Sequence, residues 1–473
     1  MSAVAAVAVA MLVGAGPAAV ESIDAGRFGK VAVAQPAGPA KDVVLLLSED
    51  APAKVAPVAR ALAERGALVL TCDAPGYLDA SPKKEKCIYP AGDLEALAQY
   101  AEKKLGFGEY LRPVVVGIGA TSGLAYAALA QAPKGTFRGA VSVGFCAEAD
   151  SPKPLCSGSG LWRARGYGGT AEVFITKAGL DAPWVVLQGS EDKTCPVEEA
   201  KRFAAGTTDG RVVELPGVGH ALEKPEAWMA PLLEAVAGTR PAPVAGAPKP
   251  AEGVVAEDVS DLPLVEAVVP SGPGEAFAVM LSGDGGWAGI DRRLAEEVGR
   301  GKYGVPVVGM DSLQYFWKAK TPEQTAKDVS RVIRHYAAAW KRGTVVMLGY
   351  SRGADVLPAT VNRLDPDARA RVKLLGLVAP EKLAEFEVHV TDFVASSEVG
   401  TPIAPEVRKL GGTPLMCIFG DQEANESLCP VIRSLPGVSA EKLPGGHHFG
   451  GSYHLVAGAI VGTLRQVAAD AGR

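Results

Sequence analysis

The chain has 473 residues, 48% hydrophobic and 21% charged, which describes globular domains and excludes a disordered or fibrous polymer. That length exceeds one ordinary core, so two or three domains are expected. A net charge of −5 leaves no electrostatic footprint for nucleic acid, and no nucleic-acid partner is expected.

Residues 1–20 are apolar and uncharged and resemble the apolar region of a secretory signal, with small residues suited to cleavage near Ala15 to Ala19. The basic leader of such a signal is missing, because the first cationic side chain is Arg27. No other stretch is long and apolar enough for a membrane span. From 21 to 238, strands are predicted at Val43–Leu47, Ala67–Cys72, Pro113–Gly117 and Trp184–Leu187, with helical patterns between them. Residues 239–261 are rich in Pro and Ala, lack periodicity, and read as an extended linker. From 262 to 473 the same plan recurs, with strands at Ala276–Leu281, Val305–Met310, Val345–Leu348 and Leu415–Phe419 and a helix around Thr325–Trp340.

The strand Val345–Leu348 runs into Gly349-Tyr-Ser-Arg-Gly353 and then a helix, the order a serine nucleophile elbow requires. Gly-x-Ser-x-Gly alone is a motif that chance produces easily, but the chain repeats its surroundings. Pro113–Gly117 enters Gly117-Ile-Gly-Ala-Thr121 in the same way. Gly189-Ser-Glu-Asp192 answers Gly420-Asp-Gln-Glu423, and Leu215-Pro-Gly-Val-Gly-His220 answers Leu443-Pro-Gly-Gly-His-His448. The expected fold class is therefore α/β: two tandem α/β-hydrolase-like domains, each a mostly parallel sheet with helices on both faces.

Acyl transfer by serine needs a base, a carboxylate that orients the base, and N–H donors for the oxyanion. The second half supplies these in the chain order nucleophile, acid, histidine. Ser351 is the expected nucleophile, Glu423 the acid and His448 the base, with Asp421 and Glu426 as alternative acids and His447 as the alternative base. The oxyanion donors would be the backbone N–H groups of Arg352 and of Asp284 in the loop Ser282-Gly-Asp-Gly-Gly-Trp287. Trp287, with Tyr315 and Trp317 from the aromatic insert Asp311–Lys320, is expected to contact substrate. That insert would suit a membrane interface or a lipid-pocket wall, or else a packing cluster under a long loop. In the first half Gly119 stands at the serine position while Asp192 and His220 remain. Thr121, in a shifted frame, is a poor substitute, so this half reads as a non-catalytic copy.

Seven cysteines fall as Cys72/Cys87, Cys146/Cys156 and Cys417/Cys429 with Cys195 left over, and an oxidising compartment would permit disulfides within those pairs. No Cys/His spacing suits zinc, and neither metal nor cofactor is expected.

The segments Leu348-Gly-Tyr-Ser-Arg-Gly-Ala-Asp-Val-Leu-Pro358, Ser282–Trp287, Ser312-Leu-Gln-Tyr-Phe-Trp317, Thr321-Pro322 and Leu443-Pro-Gly-Gly-His-His-Phe449 resemble the bacterial virulence protein family of VirJ and AcvB. The likeness covers about 262–470, and the preceding degenerate half makes the whole more similar to the long AcvB form. The resemblance implies a periplasmic α/β-hydrolase tied to hydrolysis of lysyl-phosphatidylglycerol and to DNA-transfer secretion. It implies an aminoacylated phospholipid as substrate, peripheral contact with a membrane surface, and secretion-system components as partners. The lipid phosphodiester would meet Arg352 or Lys318, and its amino group Asp284 or another loop carboxylate. Arg352 departs from the aromatic expected after the nucleophile. A serine esterase for another acyl ester, and a non-catalytic periplasmic adaptor, are the other readings of the chain.

Overall fold

The computed structural model describes residues 20–165, 171–220, 222, 225–240, 257–272, 274–299, 304–389 and 400–471. The expected signal segment and most of the linker lie outside these residues. The chain divides into two compact units. The first runs to Ala98 and takes in Leu111–Gln131 and Phe137–Arg240; the second holds Gln99–Tyr110, Ala132–Thr136 and Pro241–Arg473.

The first unit carries an eight-stranded sheet in the spatial order Val20–Asp24, Lys30–Ala34, Ala67–Asp73, Asp42–Ser48, Val114–Ile118, Gly139–Val143, Trp184–Gly189 and Gly210–Leu215. Its first two strands are antiparallel to their neighbours and the rest pair in parallel. The second unit has seven strands in the order Leu264–Val268, Val307–Met310, Ala276–Leu281, Thr344–Tyr350, Val372–Val378, Leu415–Gly420 and Val438–Leu443. Here only the edge strand pairs antiparallel. Central parallel strands lie between helices, so they bury both faces; Asp42–Ser48 is buried at every position.

The predicted strands fall where expected within two or three residues. The sequence pattern singled out no strand at Gly139–Val143, Gly210–Leu215, Leu264–Val268, Val372–Val378 or Val438–Leu443, nor at the opening pair Val20–Asp24 and Lys30–Ala34, nor in a small antiparallel sheet of Glu148–Asp150, Ala171–Ile175 and Trp162–Arg165. Most are edge or excursion strands; Gly139–Val143 and Val372–Val378 are interior, and their apolar runs are broken by Ser142 and by Lys373 and Gly376. The predicted helix starts earlier than expected, at Pro322, because Thr321 accepts from the Gln324 amide and the Gln324 side chain reaches back to cap it. It ends at Trp340 with Lys341 left-handed at φ 53°. Ala326, Val329, Ile333 and Tyr336 form its buried stripe.

The disulfides differ from the expected pairing. Cys87 joins Cys156, Cys146 joins Cys195, and only Cys417–Cys429 forms as anticipated. Cys72 lies inside a central strand as a buried free thiol, its pKa raised by burial. Proximity along the chain misled here, because parallel strands bring together residues separated by whole crossovers.

Candidate active site

The strand Thr344–Tyr350 ends at Ser351, and the helix Arg352–Val361 begins one residue later. Ser351 has φ 52° and ψ −124°, a backbone state costly for a residue with a side chain. It is held by its amide donating to the Val378 carbonyl at 2.9 Å and its carbonyl accepting from Ala354 at 2.7 Å. The turn is tight: a Cβ on Gly353 would sit 2.1 Å from the Leu281 carbonyl oxygen. Asp355, in the first turn, is buried and accepts from the Glu381 amide at 2.8 Å, so it ties the helix to the next crossover.

The hydroxyl of Ser351 lies 2.9 Å from Nε2 of His447, whose Nδ1 lies 2.9 Å from Oε2 of Glu423. The other carboxylate oxygen of Glu423 accepts the Gly420 amide at 3.0 Å, which fixes its direction. Glu423 is thus the carboxylate at the histidine. Asp421 instead accepts the Gly445 amide at 2.9 Å and braces the histidine loop, and Glu426 is exposed.

The expected base His448 is a correction: the imidazole at the serine belongs to His447. The two halves differ by one residue in this loop. The Glu191 amide donates to Val218 at 3.0 Å in the first unit, and the equivalent Gln422 amide donates to Gly445 at 3.1 Å in the second. Val218 stands two residues before His220, and Gly445 two residues before His447. Counting from the preceding Leu-Pro-Gly therefore overshoots by one. His448 turns to the Tyr350 hydroxyl, 3.2 Å from its Nδ1. Desolvation, then the neighbouring His447, holds its imidazolium below the ordinary histidine range.

The loop Ser282–Trp287 is anchored from below. Ser282 Oγ accepts the Ser312 amide at 2.8 Å, and the Gly283 amide donates to the buried Asp291 carboxylate at 3.1 Å. Burial raises the Asp291 carboxyl well above the usual range. With Gly283 engaged, Asp284 is the next amide in line. Among the described residues neither the Asp284 nor the Arg352 amide has an acceptor, as expected of N–H groups kept for an oxyanion. Gly283 lies against the elbow, its missing Cβ 3.6 Å from that of Ser351. Asp291 and Tyr350 are positioning residues the sequence did not single out; a lone Asp early in a helix and the variable position of Gly-x-Ser-x-Gly carry no signal by themselves.

The expected substrate contacts do not hold. Trp287 is buried in the core, its ring filling the space a Cβ on Gly309 would take. Tyr315 is buried with its hydroxyl donating to Asp328 at 2.7 Å. Trp317 is 1% exposed and its indole donates to the Phe107 carbonyl at 2.9 Å. The aromatic insert is a packing cluster, because each polar tip finds an internal partner. The Arg352 guanidinium is also committed, with Nη1 donating to Glu387 at 2.8 Å and Glu385 at 3.3 Å through their carbonyls. Through Nη1 it braces residues 385–387, and its side chain is 15% exposed.

In the first unit Gly119 takes φ 61°, close to the angle of Ser351. The dyad is intact: His220 Nδ1 lies 3.0 Å from Asp192 Oδ2, and Asp192 Oδ1 accepts the amides of Thr194 and Cys195 at 2.9 and 2.8 Å. Thr121 is no nucleophile, because its hydroxyl donates to the Leu47 carbonyl at 2.8 Å inside the turn. Glu49, at the position of Gly283, adds a further change. Its Oε1 would lie 3.4 Å from a Cβ built on Gly119.

A sheet of this strand order, with the positive-φ residue Gly119 or Ser351 between a central strand and the following helix, defines the α/β-hydrolase fold, and the chain carries it twice. Residues 275–468 match the family model described as "Bacterial virulence protein (VirJ)". No curated protein matches the chain. Similar solved structures include Est1E from Butyrivibrio proteoclasticus (14% identity, TM-score 0.30, covering 46% of this chain and 95% of that one). An alpha-beta serine hydrolase homologue from Coxiella burnetii shows 17% identity and a TM-score of 0.32 over 47% of this chain and 97% of its own. A proline iminopeptidase from Mycobacterium smegmatis shows 11% identity and a TM-score of 0.33 over 44% and 95%.

Proposed function

We propose that the second unit is a serine esterase in which Ser351 attacks an acyl ester, His447 carries the proton and Glu423 orients His447. The observation that carries this reading is the unbroken chain Ser351 Oγ–His447–Glu423, with both links at 2.9 Å. Attack by Oγ transfers its proton to Nε2 while the amides of Asp284 and Arg352 receive the oxyanion. The imidazolium then protonates the leaving alcohol. Water, deprotonated by the same histidine, clears the acyl-enzyme.

The substrate we infer is the aminoacyl ester of an aminoacyl-phosphatidylglycerol, on the family match over 275–468. Asp284, exposed at the mouth of the site, supplies a carboxylate for the amino group. A periplasmic location and a peripheral membrane role belong to the same proposal; three disulfides favour an oxidising compartment. Secretion-system partners rest on the family resemblance alone.

A fluorophosphonate probe should label the full chain at Ser351, and Ser351→Ala should abolish labelling. Labelling that survives this substitution, or never occurs, rejects the esterase. Release of the amino acid from vesicles containing aminoacyl-phosphatidylglycerol then tests the substrate. Probe labelling without release keeps the hydrolase and rejects the lipid.

A further inference from the structure

The first unit keeps an ordered Asp192–His220 pair with no hydroxyl to activate, yet sulfur lies beside it. The sulfurs of Cys146 and Cys195 and a ring nitrogen of His220 lie within 4.8 Å of one another. The Asp192 carboxylate that holds His220 also accepts the Cys195 amide at 2.8 Å, so cysteine and histidine share one anchor. The His220 side chain is 42% exposed and that of Asp192 is buried, so the imidazole is accessible.

The bond is also reachable. Cys146 and Cys195 border a cavity of about 630 Å3 lined also by Phe145 and Phe203, and Cys146 also borders one of about 470 Å3 lined by His220. The charged groups lining these spaces are Glu49, Asp79, Glu148, Asp150, Glu199 and Arg202. Carboxylates disfavour a thiolate, and of the cationic groups here, Arg202 and His220, the imidazole is the one clustered with both sulfurs. Cys87–Cys156 is half-buried to a similar degree, and among the described residues no histidine joins it in such a cluster; Cys417–Cys429 is buried.

We propose that the first unit is a thiol–disulfide exchange site in which His220, oriented by Asp192, serves the Cys146–Cys195 couple. A thiolate of an external dithiol attacks one sulfur of the pair, forming a mixed disulfide and breaking the Cys146–Cys195 bond. The departing cysteine leaves as a thiolate paired with the His220 imidazolium and takes its proton. The second thiol of the reductant then displaces the attacked cysteine, leaving two reduced cysteines here and an oxidised disulfide on the partner, a balanced two-electron transfer. The retained acid–base pair thus works on sulfur where its counterpart in the second unit works on oxygen.

The test uses the full chain equilibrated with graded dithiothreitol, trapped with iodoacetamide and mapped by mass spectrometry. Cys146–Cys195 should open at lower dithiol than Cys87–Cys156 and Cys417–Cys429. After its selective opening, alkylation at these cysteines should rise with a step well below the ordinary thiol value of about 8.5. His220→Ala should return that step to the ordinary range and slow alkylation at pH 6.5 by roughly tenfold. Opening together with or after Cys87–Cys156, or a wild-type step in the ordinary range, overturns the proposal. So does an unchanged profile in His220→Ala. Should that variant fail to fold, the opening order and the wild-type profile decide the matter alone.

Discussion

Two turns of nearly equal shape carry Ser351 in one unit and Gly119 in the other, with φ 52° and 61°. Each is served by a histidine hydrogen-bonded to a carboxylate, at 2.9 Å and 3.0 Å. What separates them is local. The second unit has a hydroxyl on the turn and Gly283 in the facing loop, while the first has no side chain on the turn and Glu49 across from it. A carboxylate there would repel an oxyanion, which the proposed mechanism assigns to amides in the other unit. On the proposed esterase reading the first unit therefore differs at two points, and restoring the serine alone is not expected to restore activity. An acid–histidine pair is reusable, whereas an oxyanion site tolerates no competing negative charge.

The largest expected effect separates the adjacent histidines. His447→Ala should lower kcat by about 10⁴-fold or more, and His448→Ala by less than about tenfold, measured on a neutral p-nitrophenyl ester. The reverse order would return the role to His448. On a Ser351→Ala background, Gly119→Ser should remain unlabelled by fluorophosphonate, whereas Gly119→Ser combined with Glu49→Gly should gain slow labelling. Labelling of the first variant would mean that only the hydroxyl had been lost.

Gly353→Ala tests the packing of the turn. A Cβ 2.1 Å from the Leu281 carbonyl forces backbone to move, so a loss of about 3 kcal/mol or more is expected in urea unfolding. The equivalent Thr121 already carries a Cβ and hydrogen-bonds to the Leu47 carbonyl. Thr121→Gly should accordingly cost about 1–2 kcal/mol, not stabilise.

The smallest effect is a pH slope. Burial raises the folded pKa of Asp291 above its unfolded value. The proton it retains on folding stabilises below the unfolded carboxylate range, and that contribution is lost as pH rises through the folded value. Asp291→Asn keeps an acceptor for the Gly283 amide without the charge. It should flatten the fall of Tm between pH 5 and pH 8, in part only, since the buried Asp355 is raised in the same way. An unchanged slope would assign the pH dependence elsewhere.

Much of this was legible in the chain because parallel sheets write themselves as buried apolar runs separated by crossovers, and because the second copy gave each landmark a partner. Ser351 and Glu423 were legible for that reason: both follow a strand end directly, at fixed offsets from it. Gly119 was legible as the missing nucleophile by the same count. Tertiary structure decided what no offset could. His447 displaced His448 because a loop after a strand can gain one residue without moving the strand. Cys146 found Cys195 because neighbouring strands align the ends of distant crossovers. Trp287, Tyr315 and Trp317 went inward because internal partners exist for their rings and polar tips, a fact that depends on what the fold places around them. Sequence sets which groups are available and the period on which they repeat; the last ångströms, which determine chemistry, are set by packing.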